Sequence, residues 1–468
     1  MQIKLNFFGA AKNVTGSCYY LEANGKRFLI DCGLYQERDL KPRNWADFPV
    51  PANTIDAVLL THAHLDHCGR IPKLVKEGFD GTVYATSATA EIANIIMQDS
   101  AHIQEEDIKH KKRRHEKQGK KSPFPYEPLY TMEDAQKAGS LFSKVKYAQP
   151  LTIGEGITAE FREAGHVFGS SSIRISITQG SETRTILFSG DVGRWDLPIM
   201  RDPHQYESAD YVLVESTYGD RVHGEVKDIP GELERIINET VEAGGNIIIP
   251  SFALERTQEL LYHLNSLVNE KRIPLMPVFV DSPMAIKITD VFKKHPDLFD
   301  EETLEQLRAG DKPCDFPRLK MTRSVDDSKA IAHVKESAII IAGSGMCTGG
   351  RVKHHLKSNL GRPESTILFV GYQSHGTLGR IILDGAETVR LFGEQYEVNA
   401  RVAKISGFSA HADQNELLQW LSSIRQPPKK IFITHGEEKQ ASAFAEFLAV
   451  KNGWNCMVPE YEQEVILD

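Results

Sequence analysis

The sequence predicts an α/β protein. Short apolar runs recur along the whole chain, as in Ile55–Thr61 (IDAVLLT) and Lys430–Thr434 (KIFIT). Through the middle they alternate with helical stretches, which implies a parallel sheet covered on both faces. The composition, 41% hydrophobic and 25% charged over 468 residues, is ordinary globular usage. It rules out a fibrous chain, a disordered tail and a small disulfide-stapled scaffold.

The elements follow in order. Gly16–Glu22 and Lys26–Asp31 read as strands joined by Ala23-Asn24-Gly25, and Asn-Gly between such runs is the strongest short hairpin signal. Ile55–Thr61 is a buried strand, Ile71–Glu77 a helix and Thr82–Thr86 a strand; residues from about 88 to 145 read mostly as helix and surface loop. Strands return at Ile153–Ala164, Ser171–Thr178 and Thr183–Ser189. Short strands then follow at Tyr211–Glu215, Asn246–Pro250, Pro277–Asp281, Ala338–Ala342 and Thr366–Val370, with helices such as Leu254–Leu267 between them. Lys430–Thr434 lies between amphipathic helices at about 413–424 and 438–451.

Charge and cysteine usage narrow the class. Lys+Arg 55 against Asp+Glu 64 gives a net charge of −9, whereas a nonspecific DNA coat is usually basic. A local positive groove stays compatible with that total. The dense basic run Asp107–Lys121 reads as a solvated helix end or loop, with steering of a polyanion as the lesser reading. Cys18, Cys32, Cys68, Cys314, Cys347 and Cys456 form no C-x-x-C pair and read as reduced thiols of a cytoplasmic protein. No signal-type segment opens the chain, and no run of about 18 apolar residues would span a membrane.

The densest chemistry is His62-Ala63-His64-Leu65-Asp66-His67, directly after a buried strand. Imidazole nitrogen and carboxylate oxygen suit zinc. His62 and His64 can reach one ion, while Asp66 and His67 turn toward a second. His166 in Ala164–Ser170, Asp191 in FSGD and Asp31 in LIDCG each follow a strand and join the candidate set.

FLIDCG, THAHLDH, AGHVFGS and FSGD, in this order, resemble the metallo-β-lactamase superfamily. The resemblance implies an αββα sandwich with two zinc ions at one edge. It implies His62, His64 and His166 on one ion, Asp66 and His67 on the other, and Asp191 bridging both. Asp31 resembles the carboxylate that holds the other N–H of a ligand imidazole. Glu215-Ser216-Thr217-Tyr218-Gly219, Phe408–Asp413 around His411, and Thr434-His435-Gly436-Glu437 are similar to motifs A, B and C of the β-CASP nucleases. Gly343-Ser344-Gly345-Met346 and Gly371–Arg380 resemble that group as well, so the likeness covers nearly the whole chain.

Metal candidates lie before residue 192 and again at 435, so the chain must leave the first domain, fold a second, and return. The expected division is a metallo-β-lactamase domain in two parts, 1–205 and 396–468, around an inserted β-CASP domain at 206–395. Substrate is expected in the cleft between the domains.

His435 can complete the second zinc's shell. Motif C is His in RNA-acting β-CASP branches and typically Val in the DNA-repair branch, so the resemblance implies single-stranded RNA as partner. The expected reaction is two-metal phosphodiester hydrolysis, mainly endonucleolytic, with 5′→3′ exonucleolysis left open. His411 is the candidate general acid, with Glu215 holding its ring. Ser344 and Gly345 form either a packing turn or a phosphate contact. His375 has no assigned role, and His354 and His355 are expected on a helix surface. Relatives often pair, which keeps a homodimer open. The competing readings are a single-stranded DNA nuclease, a small-molecule metallohydrolase and an inactive scaffold subunit.

Overall fold

The computed structural model describes residues 2–119, 126–224 and 228–468. The chain forms two compact units. One comprises Met1–Leu197, Arg201–Val222 and His411–Asp468, the other Pro198–Met200 and His223–Ala410.

The first unit holds two seven-stranded sheets. One runs Glu464–Leu467, Ile3–Phe7, Tyr19–Ala23, Lys26–Ile30, Ala57–Leu59, Thr82–Thr86, Phe142–Val145. The other runs Cys456–Met457, Lys430–Thr434, Tyr211–Glu215, Glu182–Phe188, Ser171–Gln179, Ile157–Glu163, Leu151–Gly154. Alternate residues of both sheets point inward, as the two-residue repeat of a strand dictates. Ile3, Leu5, Phe7, Phe28 and Ile30 thereby meet Phe161, Ile173, Ile175, Ile186 and Phe188 in one buried core. Val212, Val214, Ile431 and Ile433 face the other way, onto Leu417, Trp420 and Phe444 of helices Gln414–Leu421 and Glu438–Asn452. Helix Ser87–Gln118 packs against Thr82–Thr86 and Phe142–Val145 on the opposite side. The layers are therefore αββα.

The hairpin at Asn24-Gly25 forms as predicted, with φ of 48° and 72° at the two turn residues. Positive φ at both positions is what a two-residue hairpin loop requires. Other expectations need correction. Ile153–Ala164 is not one strand, because Gly156 at φ 67° reverses the chain between Leu151–Gly154 and Ile157–Glu163. The region 88–145 ends in the edge strand Phe142–Val145, whose half-exposed FSKV carries no apolar signal. Within the basic run, the segment through Gln118 is the largely exposed end of helix Ser87–Gln118. Lys120 and Lys121 lie outside the described residues.

The second unit is built on six parallel strands in the order Leu319–Met321, Val278–Asp281, Ile339–Ala342, Ile247–Pro250, Thr366–Phe369, Arg401–Lys404. The four inner strands are buried at every position, which is why they read as unbroken apolar runs. The units divide later than the expected 206–395. Tyr211–Glu215 hydrogen-bonds between Glu182–Phe188 and Lys430–Thr434 in the first unit, and Arg401–Lys404 closes the second unit's sheet on Thr366–Phe369. His355 also departs from expectation. It is buried, with Nε2 at 2.6 Å from Oδ2 of the buried Asp281, because its helix lays that face on the sheet. His354 is exposed, as expected.

Candidate metal centre

All the candidate metal ligands sit just beyond the carboxyl ends of strands of the first unit, where open α/β sheets place ligands. Asp31 follows Ile30, His62–His67 follow Leu59, His166 follows Glu163, Asp191 follows Phe188, and His435 follows Thr434. Glu215 is the last residue of its strand. Asp31 at φ 60° and His435 at φ 50° occupy the left-handed region, a conformation costing a non-glycine residue about 1–3 kcal/mol and concentrated at functional sites.

Two groups form. In the first, His62 Nε2 lies 3.0 Å from His64 Nδ1, and His166 Nε2 lies 3.2 Å from the same atom. Asp191 Oδ2 stands 3.6 Å from His62 Nε2 and 3.5 Å from His166 Nε2. In the second, His67 Nε2 is 3.1 Å from His435 Nε2, and Asp66 Oδ2 is 3.6 Å from the latter. Asp191 belongs to both: its Oδ1 is 3.3 Å from His67 Nε2 and 3.5 Å from His435 Nε2. The donor atoms of His62, His64, His166 and Asp191 lie mutually within 4.8 Å, as do those of Asp66, His67 and His435, close enough in each case to hold one ion. Two ligands about 2.0–2.1 Å from one tetrahedral ion are about 3.3 Å apart, close to the spacings seen.

In the first group the protonation states fit a metal as well, whereas in the second, against the effect of burial, Asp191 and Asp31 raise His67 and Asp191 and Asp66 raise His435. Burial holds His62 well below the ordinary imidazole range and lowers His64 to about 4. Both are neutral at pH 7, the form that binds a cation. Burial opposes ionisation of Asp191, yet the imidazoles of His435, His67 and His62 hold its carboxyl well below the usual range. Asp191 Oδ1 is buried without a hydrogen-bond partner. An anionic oxygen left so is costly unless a cation takes it up.

The ligand rings are oriented from behind. Asp31 Oδ2 accepts from His67 Nδ1 at 2.8 Å, leaving Nε2 free for the centre. Asp31 also accepts from the Thr61 amide and hydroxyl at 2.8 Å each. Thr61 Oγ1 lies 3.1 Å from His62 Nδ1, and Thr217 Oγ1 lies 3.1 Å from His435 Nδ1. The sequence reading singled out neither threonine. Their signal is adjacency alone, one residue before His62 and two after Glu215.

His411 stands beside this centre. Its Nδ1 is 3.0 and 3.2 Å from the two Glu215 oxygens, and its Nε2 is 4.0 Å from Asp191 Oδ2. Glu215 additionally accepts from the amides of Val192 and Thr217, so the carboxylate is locked. Burial alone would lower the His411 pKa, but the Glu215 carboxylate raises it to about 9. Ser344 and Gly345 belong to the second unit: Ser344 Oγ accepts from the Gly349 amide at 3.2 Å, inside its own loop.

This fold and its paired His/Asp clusters define a metallohydrolase of metallo-β-lactamase type. Residues 12–214 match the metallo-beta-lactamase superfamily, 257–382 the Beta-Casp domain, and 395–459 the Zn-dependent metallo-hydrolase RNA specificity domain. The chain is 37% identical to Ribonuclease TTHA0252 of Thermus thermophilus, covering 95% of each chain. It is 31% identical to an RNase J-like protein of Methanocaldococcus jannaschii, covering 95% of this chain and 94% of that one. Transcription termination factor FttA of the same organism is also 31% identical, over 95% of this chain and 68% of the relative. A solved structure of a protein of unknown function from Enterococcus faecalis V583 shares the fold, with TM-score 0.55 and 12% identity over the full length of both. The chain belongs to the β-CASP ribonuclease family of the metallo-β-lactamase superfamily. No helix among the described residues is long and apolar enough to cross a membrane.

Proposed function

We propose that the chain is a zinc-dependent endoribonuclease that hydrolyses single-stranded RNA with two ions per chain, leaving 5′-phosphate and 3′-hydroxyl ends. The observation that carries this reading is Asp191, whose two oxygens face two separate histidine groups while His411 stands beside it. His62, His64, His166 and Asp191 would hold one ion, and Asp66, His67, His435 and Asp191 the other. Bound zinc supplies positive charge for a phosphoryl oxygen and makes water acidic near neutral pH.

The chain's own groups handle the proton and the geometry. Asp31, Thr61 and Thr217 hold the far nitrogens of His67, His62 and His435, so each ring offers Nε2. Glu215 accepts from His411 Nδ1, which turns His411 Nε2 toward the centre. Protonated there, His411 donates to the leaving 3′-oxygen, a general-acid role open to an imidazole positioned this way. RNA as substrate is supported by the RNA specificity domain match and by the names of two relatives, a ribonuclease and an RNase J-like protein.

Two measurements test the reading. Zinc-loaded protein given end-labelled RNA and DNA strands of one sequence is expected to cut the RNA internally and leave ligatable 5′-phosphates; equal cutting of DNA contradicts it. His435→Ala is expected to reduce zinc, measured by mass spectrometry on purified protein, from two ions per chain to one. Two ions retained in that variant would remove His435 from the second site.

A further inference from the structure

The second unit carries an unassigned feature at the carboxyl end of its sheet. In chain order Ile247–Pro250 is the first strand, yet in space it lies between Ile339–Ala342 and Thr366–Phe369. Three later strands lie on one side of it and two on the other. That arrangement is a topological switch point, and open α/β sheets bind ligands in the crevice outside the carboxyl ends of the strands there. The loops after these three strands meet at one side chain, Phe252.

Two glycines support the Phe252 ring. A Cβ at Gly345 would fall 2.8 Å from ring Cδ2 and Cε2 and 3.0 Å from Cγ. Such near-equal distances mean that the Gly345 backbone lies over the ring face. A Cβ at Gly371 would come within 3.3 Å of Cε2. The two glycine loops are tied together, since Gln373 Nε2 donates to Gly345 O at 2.8 Å and Gly379 N to Met346 O at 3.1 Å. Held this way, Phe252 still keeps 40% of its surface exposed, and Tyr372, next to Gly371, keeps 66%.

We propose that Phe252 is a stacking platform for a nucleobase of single-stranded RNA. The proposal rests on the ribonuclease reading and adds a base-binding subsite to it. Every base offers a π face, so an exposed ring on a stiff support binds a strand without demanding a sequence. The supports of the ring, Gly345 and Gly371, carry no side chains of their own.

The test measures binding of a phosphorothioate RNA 12-mer to the zinc-loaded full chain, against an oligomer of the same length whose residues are abasic. Wild type is expected to prefer the base-bearing strand by roughly 5- to 100-fold, the range for losing one base–aromatic stack. Phe252→Ala and Phe252→Leu should collapse that ratio toward one, and Phe252→Trp should restore it. A 2-aminopurine in the strand should be quenched by wild type and less so by Phe252→Leu. If the leucine variant keeps the wild-type ratio and quench, the platform is refuted while the ribonuclease reading stands. If wild type neither binds nor cuts RNA, that reading falls and the platform falls with it.

Discussion

Asp191→Ala is expected to lose zinc and RNA cleavage together. Asp191 is the one carboxylate shared by both histidine groups, 2% exposed, with an oxygen that finds no hydrogen-bond partner. Without it the first group loses its carboxylate, and the second keeps only Asp66 on the side of the centre, with Asp31 behind His67. What remains is imidazoles packed with ring nitrogens at 3.0–3.2 Å, a set that repels itself once any member is protonated. Loss of an outer partner of a ligand typically costs 10–100-fold in metal affinity, and removal of a shared inner carboxylate should exceed that. Zinc per chain by mass spectrometry is expected well below one, with cleavage reduced beyond roughly 100-fold. Asp191→Asn keeps the shape and removes the charge. It should behave like the alanine variant in zinc content while keeping the wild-type melting temperature of zinc-stripped protein more closely. An alanine variant carrying two ions, or cutting RNA at the wild-type rate, would refute the shared-carboxylate assignment.

Most of the centre is legible in the sequence because its residues follow buried strands, and buried strands announce themselves as apolar runs. IDAVLLT before His62 and KIFIT before His435 need no tertiary information to be found. What brings His435 beside Asp191 is sheet order, with Tyr211–Glu215 pairing in parallel with Lys430–Thr434 on one side and Glu182–Phe188 on the other, across the inserted unit His223–Ala410. Sequence spacing does not carry that pairing, which is why Tyr211–Glu215 is misread as part of the insertion. Thr61 and Thr217 escape for another reason: a threonine orienting an imidazole looks like any β-branched residue at a strand end. The Phe252 platform is hidden too, since its ring rests on Gly345 and Gly371, far away in the chain. His355 shows the converse failure, where a polar residue expected on the surface is buried because its partner, Asp281, ends a neighbouring strand.

His411→Ala is expected to keep its zinc and lose most cleavage. Neither group of three or more donors built on His62 or His67 includes His411, which groups instead with Glu215, at 3.0 Å, and Asp191, at 4.0 Å. Metal content should therefore stay at the wild-type value, while the rate falls by roughly 10²- to 10⁴-fold, the usual share of a positioned general acid. The pH profile separates this role from a structural one. A raised pKa means that His411 is protonated below it and loses its proton as pH rises through it, so a general acid here gives a rate that falls on the alkaline side. Burial works against the proton and the Glu215 charge holds it, to about 9 in the metal-free chain. Cations held by Asp191 neutralise His411's second acidic neighbour, so in loaded enzyme the alkaline limb should lie lower than that. Glu215→Gln removes the first neighbour's charge and keeps one acceptor oxygen, enough for one of the Val192 and Thr217 amides, which bond different oxygens of Glu215. That variant should shift the alkaline limb further down in pH, and the alanine variant should have none. An alkaline limb unmoved in Glu215→Gln, or wild-type turnover in His411→Ala, would take the proton away from His411.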